Sequence, residues 1–143
     1  MACSAAALAI ARENGAALGA EVYWIEGEGL QAGEDHGPFD LIVSNPPYLD
    51  GPLMNTLPRD IRDFEPMGAL DGGPDGLALI RILVADAPRV LKSGGLLALE
   101  VAHDEQAAAV QALIDSQSAL SFQQIIPDYA GIGRVVTALK EQS

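Results

Sequence analysis

Phe39-Asp40-Leu41-Ile42-Val43-Ser44-Asn45-Pro46-Pro47-Tyr48 decides how the rest of the chain is read. Residues 41–43 are a short apolar run with β-branched side chains, which predicts a buried strand. The run stops at Asn45-Pro46-Pro47. Proline has no N–H for a ladder and fixes its own φ, and it pushes the residue before it toward extended geometry. Asn45 to Tyr48 is therefore a stiff, non-helical corner beyond the carboxyl end of a strand. In open α/β sheets that is where ligands bind.

Such a corner suits recognition of a planar –NH2 group. The Asn45 side chain accepts from an amino or amide N–H and donates to a carbonyl. The Pro46 carbonyl, free of any ladder, can accept the second N–H, and Tyr48 can stack on the flat group. Two acceptors on one nitrogen would orient it and raise its electron density toward an electrophilic carbon. The competing structural reading is a strand-ending turn in which Asn45 only caps backbone groups.

The chain has 143 residues, enough for one domain with a core, and its 49% hydrophobic content fits a packed globular protein rather than a disordered one. Net charge is −12, from 20 acidic and 8 basic residues. That field repels a phosphate backbone unless a basic strip compensates. Arg59 and Arg62 sit among Asp60, Asp63 and Glu65, so direct binding of nucleic acid is not expected. The lone Cys3 allows no internal disulfide, and with only His36 and His103 no metal site is expected. No apolar run is long enough for a membrane span and no leader pattern stands at the start, so a cytoplasmic location is expected.

Elsewhere the pattern alternates helices and strands. Ser4 can cap a helix over residues 5–14 that stops at Asn14-Gly15. Residues 22–25 read as a strand, followed by the loop Glu26-Gly27-Glu28-Gly29. Residues 49–74 hold four prolines and four glycines with weak periodicity, too long for an ordinary connection and therefore functional or mobile. Asp75 is expected to cap a helix to residue 91, with Leu77, Ile80, Val84, Ala87 and Leu91 on one face and Pro88 bending its last turn. Ser93-Gly94-Gly95 should end it before a second buried strand over residues 96–101. A helix capped by Asp104 follows, then strands over residues 122–126 and 134–139 joined as an antiparallel hairpin.

The motifs Asn45-Pro46-Pro47-Tyr48, Glu65-Pro66, Ala69-Leu70, Gly72-Gly73, Asp75-Gly76-Leu77 and the ending Asp128-Tyr129-Ala130-Gly131-Ile132-Gly133-Arg134 together resemble the protein-(glutamine-N5) methyltransferases. The ending is similar to the HemK-like branch that acts on peptide-chain release factors. The resemblance implies a partial Rossmann-like, class I S-adenosylmethionine methyltransferase sheet with a C-terminal antiparallel hairpin. The sheet would lack its first two strands. It implies methyl transfer from S-adenosyl-L-methionine to the glutamine side chain of the release factor's Gly-Gly-Gln loop. Asn45 and Pro46 would be catalytic; Asn45, Pro46, Pro47 and Tyr48 would bind the acceptor; Glu28, Leu30 and Asn45 would flank the cofactor.

By the same resemblance, residues 1–143 correspond to a truncated catalytic domain, beginning after the family's release-factor-binding domain and Gly-rich cofactor loop. The family's ribose-binding acid falls at Ala2, and no G-x-G-x-G follows a predicted strand. The expectation is an impaired enzyme that binds cofactor weakly, with an exposed edge on the central strand able to self-associate. The alternatives are a ribosomal-protein glutamine methyltransferase and a non-catalytic module that keeps the amide-binding corner. An amino-methyltransferase of DNA or RNA is disfavoured by the charge.

Overall fold

The computed structural model describes Ala2 and residues 4–142; Cys3 lies outside the described residues. Four strands, β1 (Phe39–Ser44), β2 (Leu91–Glu100), β3 (Leu120–Pro127) and β4 (Gly133–Lys140), form one sheet in the order β1-β2-β4-β3. The β1–β2 pair is parallel; β4 runs antiparallel to both its neighbours. Helices α1 (Ala5–Ala17), α2 (Gly51–Met54), α3 (Arg59–Phe64), α4 (Ala78–Val90) and α5 (Asp104–Asp115) complete the fold.

Register explains where the core lies. Ile42 opposes Leu97, which opposes Ala138, and Leu99 opposes Val136. With period-2 alternation these side chains share one sheet face, and all are buried. They form one cluster with Ile80, Val84 and Ala87 of α4 and with Ala107, Val110 and Ile114 of α5. The five apolar positions expected on the α4 side are all buried, as their spacing requires.

The central-strand expectation needs correction on burial. β1 forms where the sequence places it, but as an edge strand. Only Ile42 is buried, while Leu41 is 52% and Val43 71% exposed. Their face of the sheet is uncovered among the described residues, and the open edge expected from the sequence is present.

Residues 22–25 do not form a strand. They have no regular secondary structure, and the neighbouring pairing is a single parallel bridge between Ala2 and Glu26. A strand needs a continuous ladder, and this segment is tied to α1 instead. Trp24 packs on Gly15, where a Cβ would lie 2.7 Å from its ring, and the Arg12 guanidinium donates to the Trp24 carbonyl at 3.5 Å. That packing carries α1 through the Asn14-Gly15 stop to Ala17, with Ser4 accepting from the Ala7 N–H as expected.

Three further boundaries move. Asp75 does not cap α4: its carboxylate accepts from the Leu77 N–H and pairs with Arg81, making a turn ahead of the helix. Ser93-Gly94-Gly95 does not separate helix from strand. The chain passes from α4 directly into β2 at Leu91, opposite Phe39, and residues 92–95 loop out of the ladder before Leu96 meets Leu41. His103, through Nδ1, caps α5, while Asp104 accepts from the Gly133 N–H at the base of the hairpin. Finally, residues 49–74 are ordered into α2, α3 and a 3-10 turn at Met67–Ala69.

Candidate functional site

The Asn45–Tyr48 corner leaves the carboxyl end of β1 and opens onto a cavity of about 850 Å³, within the range of small-molecule and cofactor sites. Asn45, Pro46 and Pro47 line it together with Gly27, Glu28, Gly29 and Leu30. Asn45 and Glu28 are exposed; Pro46 and Leu30 are buried. Of the six residues expected at the site from sequence, Glu28, Leu30, Asn45, Pro46 and Pro47 converge here and Tyr48 does not.

Tyr48 does not line this cavity. Its ring packs against the core and its hydroxyl donates to Glu100 Oε1 at 3.4 Å. Burial first, then the Glu100 carboxylate, push the phenol's pKa up, and Arg134 opposes them. The hydroxyl therefore stays protonated and acts as a strut from the corner to the end of β2.

The backbone after the corner is clasped on two sides. Leu49 N–H donates to the Leu70 carbonyl at 3.0 Å, and Gly72 N–H donates back to Leu49 at 2.8 Å. The turn at 72–76 passes so close that a Cβ at Gly72 would lie 2.8 Å from the Tyr48 Cα. Gly76 has φ +72°, and a Cβ there would run into the Tyr48 carbonyl. Only glycine combines that φ with that approach. Asp50 caps α2 by accepting from the Leu53 N–H, yet the Asn45 amide has no such partner among the described residues. The capping role that competed for Asn45 is not realised here.

Sequence reading missed several wall residues: Ser44, Pro66–Ala69 region side chains such as Met67, Asp71, and Leu79, Ile82 and Leu83 of α4. The signal was the proline- and glycine-rich length of residues 49–74, which folds back to line the cavity. Ser4 and Ala7, at the start of α1, also reach it, as does Ala2.

S-adenosylmethionine fits this cavity only in part. The apolar wall at Leu30 and the polar groups of Glu28 and Asn45 suit a nucleoside and a reacting methyl. Ala2 offers no carboxylate to ribose hydroxyls, and among the described residues no Gly-rich turn following a strand of the sheet lines the cavity.

All eight basic side chains are engaged. Arg59, Arg62, Arg81, Arg89, Lys92 and Arg134 pair with carboxylates, and Arg12 and Lys140 donate to backbone carbonyls. No helix among the described residues is long and apolar enough to cross a membrane.

No family model matches the chain. It is 42% identical over 144 aligned residues to the release factor glutamine methyltransferase of Caulobacter vibrioides, covering 96% of this chain and 47% of that protein. It is 43% identical to the release factor glutamine methyltransferase of Moorella thermoacetica, covering 97% of this chain and 49% of that one. The chain thus spans about half the length of the curated relatives it matches. A methyltransferase from Pyrococcus furiosus superposes with a TM-score of 0.65 at 20% identity, over 94% of this chain and 58% of that one. That likeness is one of fold: the sheet corresponds to part of a Rossmann-like α/β architecture.

Proposed function

From the premise that this chain is a homologue of release factor glutamine methyltransferases, along nearly all of its own length and about half of theirs, we propose that it carries the acceptor-binding part of such an enzyme. The acceptor is the side-chain amide of the glutamine in a release factor's Gly-Gly-Gln loop. The observation that carries this reading is the convergence of Asn45, Pro46 and Pro47 with Glu28 and Leu30 on one cavity at the end of β1.

The chemistry of the corner follows from its hydrogen-bonding groups. The Asn45 side-chain oxygen and the Pro46 carbonyl each accept one N–H of the acceptor amide. Held by both, the nitrogen gains electron density and its amide plane points in one direction. The two prolines fix those acceptors before the glutamine arrives, so little entropy is lost on binding. Pro46 is buried and the surrounding wall apolar, which strengthens each hydrogen bond. S-adenosylmethionine, when bound, supplies the methyl group. Leu30 and Glu28 would hold its nucleoside end, with Asn45 beside the methyl.

As a 143-residue polypeptide the chain holds that cofactor weakly on this reading, because Ala2 stands where the resemblance puts a ribose-binding acid. The same observation favours a second reading, an amide-binding module without catalysis. A ribosomal protein is the other candidate acceptor. The engagement of every basic side chain supports a protein rather than a nucleic-acid substrate.

The test is transfer of labelled methyl from S-adenosylmethionine to purified release factor, with ribosomal protein as the alternative acceptor. Slow labelling of the Gly-Gly-Gln glutamine, abolished by Asn45→Ala, is the expected result. Labelling of the ribosomal protein alone would replace the acceptor. Binding of a Gly-Gly-Gln peptide without any labelling would establish the second reading instead.

A further inference from the structure

Gln106 is a polar side chain in the wall between helix α5 and the corner, only 6% exposed. Its amide makes three hydrogen bonds to backbone from three separate segments. Nε2 donates to the Tyr48 carbonyl at 3.0 Å and to the Gly76 carbonyl at 3.2 Å, and Oε1 accepts from the Ala102 N–H at 2.8 Å. The two carbonyls and one N–H admit only this orientation of the amide. No other residue type of this length supplies two donors and one acceptor in a neutral fork.

We propose that Gln106 is a positioning residue for the acceptor corner: it fastens the backbone at Tyr48 to the 72–76 turn and to the end of β2, and so fixes where Asn45 and Pro46 stand. The inference rests on the acceptor reading for its functional consequence and on geometry alone for the latch. The prolines stiffen the corner internally but do not anchor it. Tyr48 is the first residue after them with a carbonyl held by a side chain from elsewhere in the fold. Gly76 is built for the same latch, since a Cβ there would lie 2.6 Å from Gln106 Nε2.

The latch also continues outward. Arg134 donates to the Ala102 carbonyl and pairs with Asp128, whose carboxylate accepts from the Ala130 and Ile132 N–H groups of the hairpin loop. One hydrogen-bonded path thus runs from the corner through Gln106 and the Ala102 peptide to the loop that carries the exposed Tyr129.

The experiment is residue-resolved amide exchange on the purified chain and on Gln106→Leu and Gln106→Glu. The glutamate keeps an acceptor for Ala102 and loses both donors. The probes are the Leu49 and Gly72 amides against those of Leu97 and Val136 in the sheet. The expected result is exchange about tenfold faster at Leu49 and Gly72 in both variants, the scale of one lost hydrogen bond, with the sheet unchanged. In parallel, the affinity for a Gly-Gly-Gln peptide should fall about tenfold. Unchanged corner exchange, or an equal rise throughout the sheet, overturns the proposal, as does failure of both variants to fold. No peptide binding by the unmodified chain would sink the acceptor reading and leave the exchange result to judge the latch.

Discussion

The two sides of β1 are built differently. On one side, β2, β4 and β3 continue the sheet under α4 and α5, and Ile80, Leu99, Val101 and Val110 are fully buried. On the other, α1 buries only Leu8 and Gly15, the irregular residues 22–25 leave Val22 48% and Tyr23 86% exposed, and one isolated bridge joins Ala2 to Glu26. The corner at Asn45 is latched to the first side. Glu28 lies on the exposed loop of the second, whereas Leu30 is buried in the core of the first. The proposed acceptor corner is therefore tied to the packed sheet, and of the residues proposed for the cofactor Leu30 shares that anchorage while Glu28 does not, a difference in local stability that a single averaged stability would hide.

The sharpest way to break this comparison is to cut into each side. Leu99→Ala should cost about 3 kcal/mol in chemical denaturation, the usual scale for emptying a fully buried leucine site, whereas Ile10→Ala on α1, 61% exposed, should stay within about 0.5 kcal/mol. Equal costs would contradict the two-sided account. Gly76→Ala comes next, at about 2 kcal/mol, since it strains a positive φ and pushes on Tyr48. Asn45→Ala should leave stability within about 0.5 kcal/mol and weaken binding of a Gly-Gly-Gln peptide about tenfold, measured by titration. Stability lost with affinity retained would make Asn45 a structural residue.

The smallest effect is electrostatic. A hydrogen bond from Arg81 is the main reason the exposed Asp75 carboxyl lies at about 2, below its ordinary 3.8. A depressed acid stabilises the fold above its unfolded pKa and loses that contribution as pH falls through the folded one. Thermal unfolding of Asp75→Asn should thus differ slightly from the unmodified chain at neutral pH and converge with it at about pH 2. High salt should shrink the difference, as expected for an exposed pair.

Much of the deep side was legible in the sequence because its signals are local. The α4 face follows helical spacing, the hairpin follows its turn, and the prolines after Val43 end a strand wherever that strand sits. The burial of β1 was not legible, since it depends on how many neighbours the sheet gives it. Residues 22–25 carry strand composition but find no ladder. Asp104 and Gly94-Gly95 were misread because one is used by the distant Gly133 and the other by a loop in the ladder, while Asp75 closes a local turn with Leu77 and Arg81 instead of capping the helix. At the site, the proline corner was readable from backbone chemistry alone. Gln106 was not, because a glutamine on a helix is ordinary until the fold brings Tyr48, Gly76 and Ala102 around it.

We propose that the Asn45–Pro47 corner serves the acceptor and that the residues of this chain hold the cofactor only weakly. Calorimetric titration of the purified, folded chain with S-adenosylhomocysteine tests it most directly. The account predicts no saturable binding in the micromolar range. Clear micromolar binding would contradict it and show that Glu28, Leu30 and Asn45 hold the cofactor without a ribose acid.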